Sequence, residues 1–496
     1  MKEKKVILFF YPLIEKNEIF TNIPWAYLYL ERMIRELEVE FILIDERLEQ
    51  NLYEKITFYK DNILFCAVSV MIGHQITGAV SFTKLFRSIS DKPVLWGGWF
   101  PTILPEMILK DGYADYICQG QGEIPFKNFV EKLLANEDLT KIKGIGTKKG
   151  DNIILNENKD FINPETFPKI NFNLIDINKF IDIKEIVPIE KRSVDYLATS
   201  GCPYKCKFCN AVHIFNRKWF PKKVEQIIND LKYLKEKTNI SHVDFRDDNF
   251  FGNKKFILDF SKQLIDSKIN ITWEANVHLG FLIRNFNDQD MKLIYKSGCR
   301  LLRIGAESGD QEVLDFINKG ITVKEIYSAV RFLKKHKIKT RFLTMSCFPL
   351  NPQKDFWNTA KLIGNSILIN PELDIRFRFF VPIPESELWE ISVQKGFKLP
   401  TTTEEMMRFF TNCFTYHYIT PWNNTDYLKY LNNFNNFYFL WTNPGFYKKF
   451  PMKWKPVALL LTLFLYPLIF LRFKCSLLKC HVEAILFIGF TSHARR

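Results

Sequence analysis

Three cysteines stand close together in the stretch GCPYKCKFCN, residues 201–210. Their spacing, C-x3-C-x2-C, places the thiols of Cys202, Cys206 and Cys209 on one short segment that also contains glycine, proline and lysine. A structural zinc site usually has four protein ligands, whereas three thiolates can bind three irons of a [4Fe-4S] cube and leave the fourth iron open. The spacing therefore predicts an iron–sulfur cluster with one free coordination position.

Two other interpretations of the cysteines compete with the cluster. A zinc ion could be completed by His213, four residues beyond Cys209, and three unconnected buried cysteines are a further alternative. The cluster is favoured because the segment directly follows an apolar strand and because an aromatic residue, Phe208, precedes the last cysteine.

The elements around the cysteines indicate a barrel of parallel strands. Six apolar segments, each followed by a stretch with helical spacing, succeed one another: DYLATS, HVDFRD, NITWEANV, CRLLRIGAES, KTRFLTMSC and DIRFRFFVP. Six such βα units predict a partial TIM-type (βα)6 barrel, whose chemistry lies at the C-terminal ends of its strands. Thr322 and Glu325 form a capping-box pattern that predicts the start of one barrel helix.

Charged residues follow or occupy other strands of the predicted barrel. Asp247 and Asp248 end the second segment, and Glu307 ends the fourth. Arg303 shares a strand face with Glu307, and Arg341 lies in the fifth segment. Charges in a buried barrel are costly unless they are paired or face a ligand, so either arginine could bind a carboxylate or form a structural salt bridge. An N-cap or turn role is the alternative for either aspartate.

The first part of the chain predicts a second α/β unit. Its apolar runs are VILFF, EFILID, ILFCAVSV, PVLWGG and ADYICQG, separated by segments of helical spacing. This alternation is typical of an open parallel sheet of the Rossmann or flavodoxin type, which binds ligands beyond the carboxyl ends of its strands. Glycines that would let the backbone approach a ligand follow two of these runs: Gly97, Gly98, Gly120 and Gly122.

The resulting domain prediction has four parts. Residues 1–137 form the first α/β domain, 138–190 a connecting segment, 191–397 the barrel and 398–496 a helical C-terminal region. Within the last part, residues 457–471 contain no charge and are flanked by basic and aromatic residues. Fifteen residues are too few for a spanning helix, so we predict association with a membrane surface; a buried helix is the alternative.

Composition restricts the class of protein. Among 496 residues, 69 Lys and Arg outnumber 55 Asp and Glu, a formal net charge of +14. This excess is interpreted as compositional drift rather than as a nucleic-acid-binding surface, except near the C-terminus. Ten cysteines without regular pairing do not indicate a disulfide framework, and a reducing cytoplasm, at the inner face of the membrane, is the expected location.

The cysteine motif resembles that of the radical S-adenosylmethionine (SAM) superfamily, C-x3-C-x-aromatic-C, and the resemblance covers about residues 195–385. It implies that the open iron binds SAM and that the reduced cluster cleaves SAM to a 5′-deoxyadenosyl radical, which abstracts hydrogen from an unactivated carbon. It also implies that Asp247 and Asp248 contact the SAM amine and Glu307 the SAM ribose, with Arg303 as a further cofactor contact. A one-electron reductant such as flavodoxin or ferredoxin would be the partner.

The first domain resembles the cobalamin-binding domain of the subgroup that contains oxidative cyclases and hopanoid methylases. The matching stretches are WGGWFPTILPE, which includes Thr102, and ADYICQGQGE, which includes Glu123. The resemblance implies a bound cobalamin. Two departures concern the cobalt ligand: the D-x-H-x-x-G motif is absent, and Trp99 stands where members of the subgroup often have histidine.

The resemblance implies cobalamin-dependent methylation of an unactivated carbon on an apolar small molecule. The alternatives are radical cyclisation or rearrangement, a tRNA-modifying methylthiotransferase-type enzyme, and a non-catalytic metal-binding scaffold. The tRNA alternative is disfavoured because such enzymes carry three further cluster cysteines in the first domain, where this chain has only Cys66 and Cys118. Nucleic acid is therefore not the expected partner.

Overall fold

The computed structural model describes residues 4–14, 22–158, 160–186, 189–413, 420–423, 456–457 and 460. The strands in this part of the chain are β1 (Lys5–Tyr11), β2 (Val39–Asp45), β3 (Ile63–Ser69), β4 (Val94–Gly97), β5 (Tyr116–Cys118), β6 (Ile145–Lys149), β7 (Asn152–Leu155), β8 (Asp182–Ile186), β9 (Ile189–Tyr196), β10 (Thr199–Gly201), β11 (Trp219–Pro221), β12 (His242–Phe245), β13 (Thr272–Val277), β14 (Cys299–Glu307), β15 (Lys339–Ser346) and β16 (Asp374–Phe379).

The α-helices in the same ranges are α1 (Trp25–Ile34), α2 (Leu52–Tyr59), α3 (Gln75–Ile89), α4 (Trp99–Ile103), α5 (Pro105–Lys110), α6 (Glu123–Leu134), α7 (Ala211–Phe215), α8 (Val224–Thr238), α9 (Lys254–Asp266), α10 (Leu279–Asn285), α11 (Asp288–Lys296), α12 (Gln311–Phe316), α13 (Val323–Lys335), α14 (Pro352–Ile369), α15 (Glu387–Gln394) and α16 (Thr403–Cys413). The capping box at the start of α13 is confirmed, with Thr322 and Glu325 bonding each other's backbone N–H groups.

The first sheet has the strand order β2-β1-β3-β4-β5-β6-β7. Its first five strands are parallel, and five successive residues of β1 are buried because helices cover both faces. Strands β6 and β7 are antiparallel additions from the segment that the sequence predicts as a connection. The stretch KKGDN, residues 148–152, joins them as a hairpin, so the first sheet continues well beyond residue 137.

The second sheet has the order β16-β15-β14-β13-β12-β9-β8, and its six strands from β9 to β16 are parallel. This is the predicted partial barrel. The segment DYLATS, predicted as one strand, is divided: β9 ends at Tyr196, and β10 pairs with β11 in a separate two-stranded sheet. Gly201 closes β10 at φ +85°, where a Cβ would lie 2.4 Å from the carbonyl oxygen of Lys218.

A buried carboxylate joins the two sheets. Asp195, in β9, accepts hydrogen bonds from the backbone N–H of Ile23 at 2.7 Å and from the indole Nε1 of Trp25 at 2.6 Å. The Trp25 ring also packs edge-on against Tyr196, with ring centroids 5.5 Å apart. The start of α1 is therefore attached to the first barrel strand, and one continuous apolar core includes residues of both sheets.

The helix α16 returns from the barrel to the first domain. Its residue Glu404 accepts hydrogen bonds from Lys84 at 3.0 Å and from the Tyr113 hydroxyl at 2.8 Å, and Met406 and Phe410 join the core of the first sheet. The segment predicted to associate with a membrane, 457–471, lies outside the described residues apart from positions 457 and 460. Within the described ranges, no helix combines the length and apolarity needed to cross a bilayer.

Replacing Asp195 by alanine should lower the free energy of unfolding by about 2–4 kcal/mol, because two buried donors lose their acceptor. Chemical denaturation followed by tryptophan fluorescence measures the change. Asp151→Ala, in the exposed turn between β6 and β7, is the matched control and should change stability by less than about 0.5 kcal/mol. Equal stability of the two variants would contradict the joining role of Asp195.

Candidate active site between the two sheets

The cysteine loop begins directly after β10 and lies against two later segments. The backbone N–H of Lys207 donates to the carbonyl of Ile317 at 3.0 Å, and the carbonyl of Lys207 accepts from Leu388 at 3.0 Å. Within the loop, Cys209 N–H donates to the carbonyl of Cys206 at 3.1 Å. The conformation of the loop is thus held by the end of α12 and the start of α15, both distant in sequence.

The three thiols are close enough for their charges to interact. Burial raises the pKa of Cys202 to about 11 and that of Cys209 to about 12, and charge on a neighbouring cysteine raises each further. Across the described residues, no three His, Cys, Asp or Glu side chains converge on one metal-ion position. A [4Fe-4S] cube bonds each thiolate to a different iron, so a cube does not require that convergence. The side chain of His213 lies outside the described part of the chain.

A buried ion pair lies beside the cysteine loop. Glu307 ends β14 with φ +56°, and its Oε1 accepts a hydrogen bond from Lys319 Nζ at 2.7 Å. Burial alone lowers the pKa of Lys319, but the charges of Glu307 and Cys206 and the bond to Glu307 outweigh it, so the net shift is upward. The predicted ribose-binding carboxylate is therefore already bonded to a lysine of its own domain.

The two aspartates after β12 point in different directions. Asp247 is buried, and one of its oxygens accepts a hydrogen bond from Thr199 N–H, whereas Oδ2 has no hydrogen-bond partner. Burial raises the pKa of Asp247 to about 7. Asp248 is exposed and accepts a hydrogen bond from the backbone N–H of Gly201, directly before the first cysteine. Asp248 thus borders the cysteine loop, and Asp247 presents an unused acceptor.

Arg303 is held inside the barrel by its own domain. Its guanidinium donates to Asn276 at 2.6 Å, Asp244 at 2.6 Å, Glu274 at 3.0 Å and the carbonyl of Phe245 at 2.6 Å. At most one of its five N–H donors is left, so these contacts favour the salt-bridge alternative over a cofactor contact.

Arg341 is also paired, with Asp374 at 2.6 Å. This second arginine therefore has the structural salt bridge that was one of the two interpretations of its position.

The glycine loops of the first sheet are joined by Thr102. Its hydroxyl donates to the carbonyl of Gly98 at 2.7 Å and accepts from the N–H of Gly120 at 3.0 Å. Gly98, at φ +102°, has no room for a Cβ, which would lie 2.8 Å from the carbonyl oxygen of Val70. Glu123, at the start of α6, is buried and paired with Arg32 at 3.1 Å.

These two groups of residues line one cavity of about 410 Å³. From the first domain it is lined by Gly97, Gly98, Trp99, Thr102, Gly120, Gly122 and Glu123; from the barrel it is lined by Thr199, Ser200, Lys222, Arg246, Asp247 and Asp248. Most of the remaining lining is aromatic or aliphatic. A largely apolar cavity with a few convergent polar groups is the usual form of a small-molecule site. Among the described residues, the buried oxygens Asp247 Oδ2 and Thr199 Oγ1 have no hydrogen-bond partner, which suits a ligand there.

The structure adds residues that the sequence patterns do not single out. Lys222 follows β11 and lines the cavity, Lys319 pairs with Glu307, and Trp25 connects the sheets and lines the cavity. Lys222 and Lys319 lie in lysine-rich contexts typical of solvated loops, so their types and spacing carry no signal. Trp25 opens a predicted helix and is hidden among ordinary core aromatics.

Comparison with known proteins agrees with this arrangement. The sequence model of the Radical SAM superfamily matches residues 196–363. An uncharacterised methyltransferase of Pyrococcus horikoshii is 27% identical over 419 residues, which cover 80% of this chain and 85% of that protein. An anaerobic magnesium-protoporphyrin IX monomethyl ester cyclase of Synechocystis is 23% identical over 306 residues, 60% of this chain and 59% of that protein.

Among solved structures, the radical SAM methyltransferase TsrM from Kitasatospora setae, with cobalamin and a [4Fe-4S] cluster bound, superposes with a TM-score of 0.62. The superposition covers 79% of this chain and 75% of TsrM at 13% identity, which establishes likeness of fold. The predicted resemblance to the radical SAM superfamily, and to the subgroup that contains oxidative cyclases and hopanoid methylases, is confirmed, and so is the predicted fold class. The roles of individual site residues stay predictions.

Replacing Lys319 by methionine should lower the free energy of unfolding by about 3–5 kcal/mol, because the Glu307 carboxylate is left buried and unpaired. Glu307→Gln combined with Lys319→Met should cost less than Lys319→Met alone. Lys354→Met is the control, since Lys354 pairs with Glu312 at an exposed site and should cost under about 1 kcal/mol. Urea denaturation measures these three variants and Glu307→Gln alone; a loss in the double variant equal to the sum of the two single losses would refute the coupling.

Proposed function

Since residues 196–363 of this chain form a radical SAM domain, we propose that the protein is a cobalamin-dependent radical SAM methyltransferase acting on an apolar small molecule. The observation that carries this proposal is the single cavity lined both by the glycine loops of the first sheet and by the strand ends of the barrel. A methyl donor bound by the first domain and a radical generated in the barrel would then both reach a substrate in this cavity.

In this proposal Cys202, Cys206 and Cys209 would bind a [4Fe-4S] cluster, and that cluster would supply the electron for reductive cleavage of SAM. The loop contributes a preformed conformation, because its backbone is already bonded to Ile317 and Leu388. Partial or full burial raises the pKa of all three thiols, so they would be protonated before loading, and binding would release protons. Asp248 and the buried Asp247 are placed to accept hydrogen bonds from a cationic or hydroxyl-bearing ligand.

A corrinoid in the cavity would supply the methyl group. The chain's contribution is a backbone surface at Gly97, Gly98 and Gly120, with Thr102 holding the two loops in register. No histidine lines the cavity among the described residues, and Trp99 occupies the position after the two glycines. The described lining would therefore offer a cobalamin no imidazole ligand, and Trp99 would form part of the surface around it.

The apolar lining supports an apolar substrate. Phe9, Trp25, Leu30, Phe126 and Phe220 contribute to it. Excluding water from this surface would protect a carbon radical from side reactions. Oxidative cyclisation is the second candidate function, because the Synechocystis relative carries that name. The two are separated by product mass: methylation adds one CH2 unit, whereas oxidative cyclisation adds no carbon.

Each of Cys202→Ala, Cys206→Ala and Cys209→Ala should abolish formation of 5′-deoxyadenosine from SAM, because a cube with a missing protein ligand does not hold its open iron in place. The assay uses anaerobically reconstituted protein, dithionite and quantification by mass spectrometry. Cys299→Ala is the control: Cys299 is buried at the opposite end of β14, and this variant should retain cleavage. Undiminished cleavage in any loop variant would refute the assignment.

Protein produced with cobalamin should retain a corrinoid, and the electron paramagnetic resonance spectrum of its Co(II) form should lack nitrogen hyperfine splitting from a protein imidazole. Trp99→His should introduce that splitting, because it places an imidazole in the cavity lining; Trp99→Phe should bind corrinoid without it. Folded, cluster-bearing protein without corrinoid absorbance would refute the cobalamin half of the proposal. Nitrogen splitting in the wild type that changes when the protein's histidines are isotopically labelled would refute a cobalt without a protein imidazole, because cobalamin's own benzimidazole is unaffected by that labelling.

A further inference from the structure

Lys222 is a buried cation that the proposed chemistry does not use. It follows β11, its backbone N–H donates to the carbonyl of Ala198 at 2.9 Å, and the residue is only 8% exposed. It nevertheless lines the cavity between the two sheets. Its ammonium group is therefore shielded from bulk solvent and accessible to a ligand in that cavity.

The groups that contact the Lys222 ammonium are aromatic rings and a hydroxyl, none of which is a counter-charge. Its Nζ lies 4.4 Å from the ring centroid of Tyr196, 5.4 Å from that of Trp25 and 5.9 Å from that of Tyr29. These aromatic faces attract a cation but offer no counter-charge. One N–H donates to the Tyr196 hydroxyl at 3.1 Å, and this hydroxyl donates in turn to Asp230 at 2.6 Å. The Tyr196 hydroxyl therefore lies between the Lys222 ammonium and the Asp230 carboxylate, so these two charges do not form a direct salt bridge.

Across the described residues, no carboxylate lies within ion-pair distance of Lys222, whereas Glu123 and Arg246, two other charged residues at the cavity, have ion-pair partners. Glu123 pairs with Arg32 at 3.1 Å, and Arg246 pairs with Asp244 at 2.9 Å. Burial lowers the pKa of Lys222 to about 8, although the charges of Asp230 and Asp247 oppose the shift. Within the described ranges Tyr196 is the one hydrogen-bond partner of the ammonium, which leaves two N–H donors, and a buried cation in that state is costly unless a ligand completes it.

We propose that Lys222 is an anion subsite: its ammonium binds a phosphate or carboxylate group of the molecule that occupies the cavity between the two sheets. The proposal rests on the proposed function only in assuming that the cavity is the ligand site. The anion has two potential sources, the phosphodiester of a corrinoid or an acidic group on the substrate. Asp247 Oδ2, which lines the same cavity, is available to a donor on the same ligand.

Full-length, cluster-reconstituted protein tests the proposal with three probes: cobalamin, cobinamide, which has the same ring without the phosphodiester, and inorganic phosphate. Corrinoid affinity is measured by tryptophan quenching, and phosphate binding by the rise in melting temperature against chloride at equal ionic strength. Lys222→Met should weaken a phosphate-bearing probe roughly 10- to 100-fold, the loss of one charge-assisted hydrogen bond. Lys222→Arg should stay within about threefold of wild type. Lys223→Met, at an exposed neighbour, should match wild type.

Each outcome of these binding measurements either supports or overturns the anion subsite. Weaker cobalamin binding with unchanged cobinamide binding in Lys222→Met identifies the corrinoid phosphodiester as the anion. Unchanged affinity for both corrinoids, together with loss of phosphate stabilisation, assigns the subsite to the substrate. The proposal is overturned if phosphate does not stabilise the wild type, if Lys222→Met binds all probes normally, or if Met and Arg variants lose both corrinoids equally through collapse of the cavity. If Lys222→Met does not fold, Lys222→Gln replaces it.

These results are separable from those that test the proposed function. Wild-type protein that binds no corrinoid would refute the cobalamin half while the phosphate measurement still judges Lys222. Normal 5′-deoxyadenosine formation with no anion effect would refute the subsite and leave the radical chemistry intact.

Discussion

The hydrogen bonds from Ile23 and Trp25 to the buried Asp195 determine how the two sheets meet. They attach the start of the first domain's leading helix to the first strand of the barrel, next to Tyr196, which also contacts Trp25 and Lys222. Parallel strands place their carboxyl ends on one side of a sheet. With the sheets joined at this point, the glycine loops of one and the polar strand ends of the other border a common cavity.

Buried charged groups in the barrel interior are paired, whereas two of those that line the cavity are not paired among the described residues. Arg303 is surrounded by Asp244, Glu274 and Asn276, and Glu307 is bonded to Lys319, so these charges are compensated within the fold. Lys222 and the outer oxygen of Asp247 lack such compensation in the described part of the chain, and both line the cavity. A buried charge whose partners all lie within the fold indicates a structural role, whereas a buried polar group that lacks such a partner and lines a cavity indicates a ligand site.

Most strands of the first sheet were predictable because they are continuous apolar runs separated by segments of helical spacing, the pattern of a sheet covered on both faces. Which strands pair with each other was less predictable. The segment DYLATS has one hydrophobic pattern but contributes to two sheets, because hydrogen bonding between β10 and β11 depends on a partner about 20 residues away. The hairpin of β6 and β7 was missed as part of the first sheet because its short, partly exposed strands resemble a connecting segment.

The cysteine motif, the two α/β units and the strand-end glycines and carboxylates could be predicted from the sequence, because they depend on local spacing and on the periodicity of burial. The folded structure was needed to show that the two units share one cavity, that Arg303 is held by its own domain and that Lys222 has no carboxylate within ion-pair distance among the described residues. Those properties depend on contacts between residues far apart in the chain, such as Lys222 with Trp25. Such contacts cannot be predicted from side-chain type and local spacing.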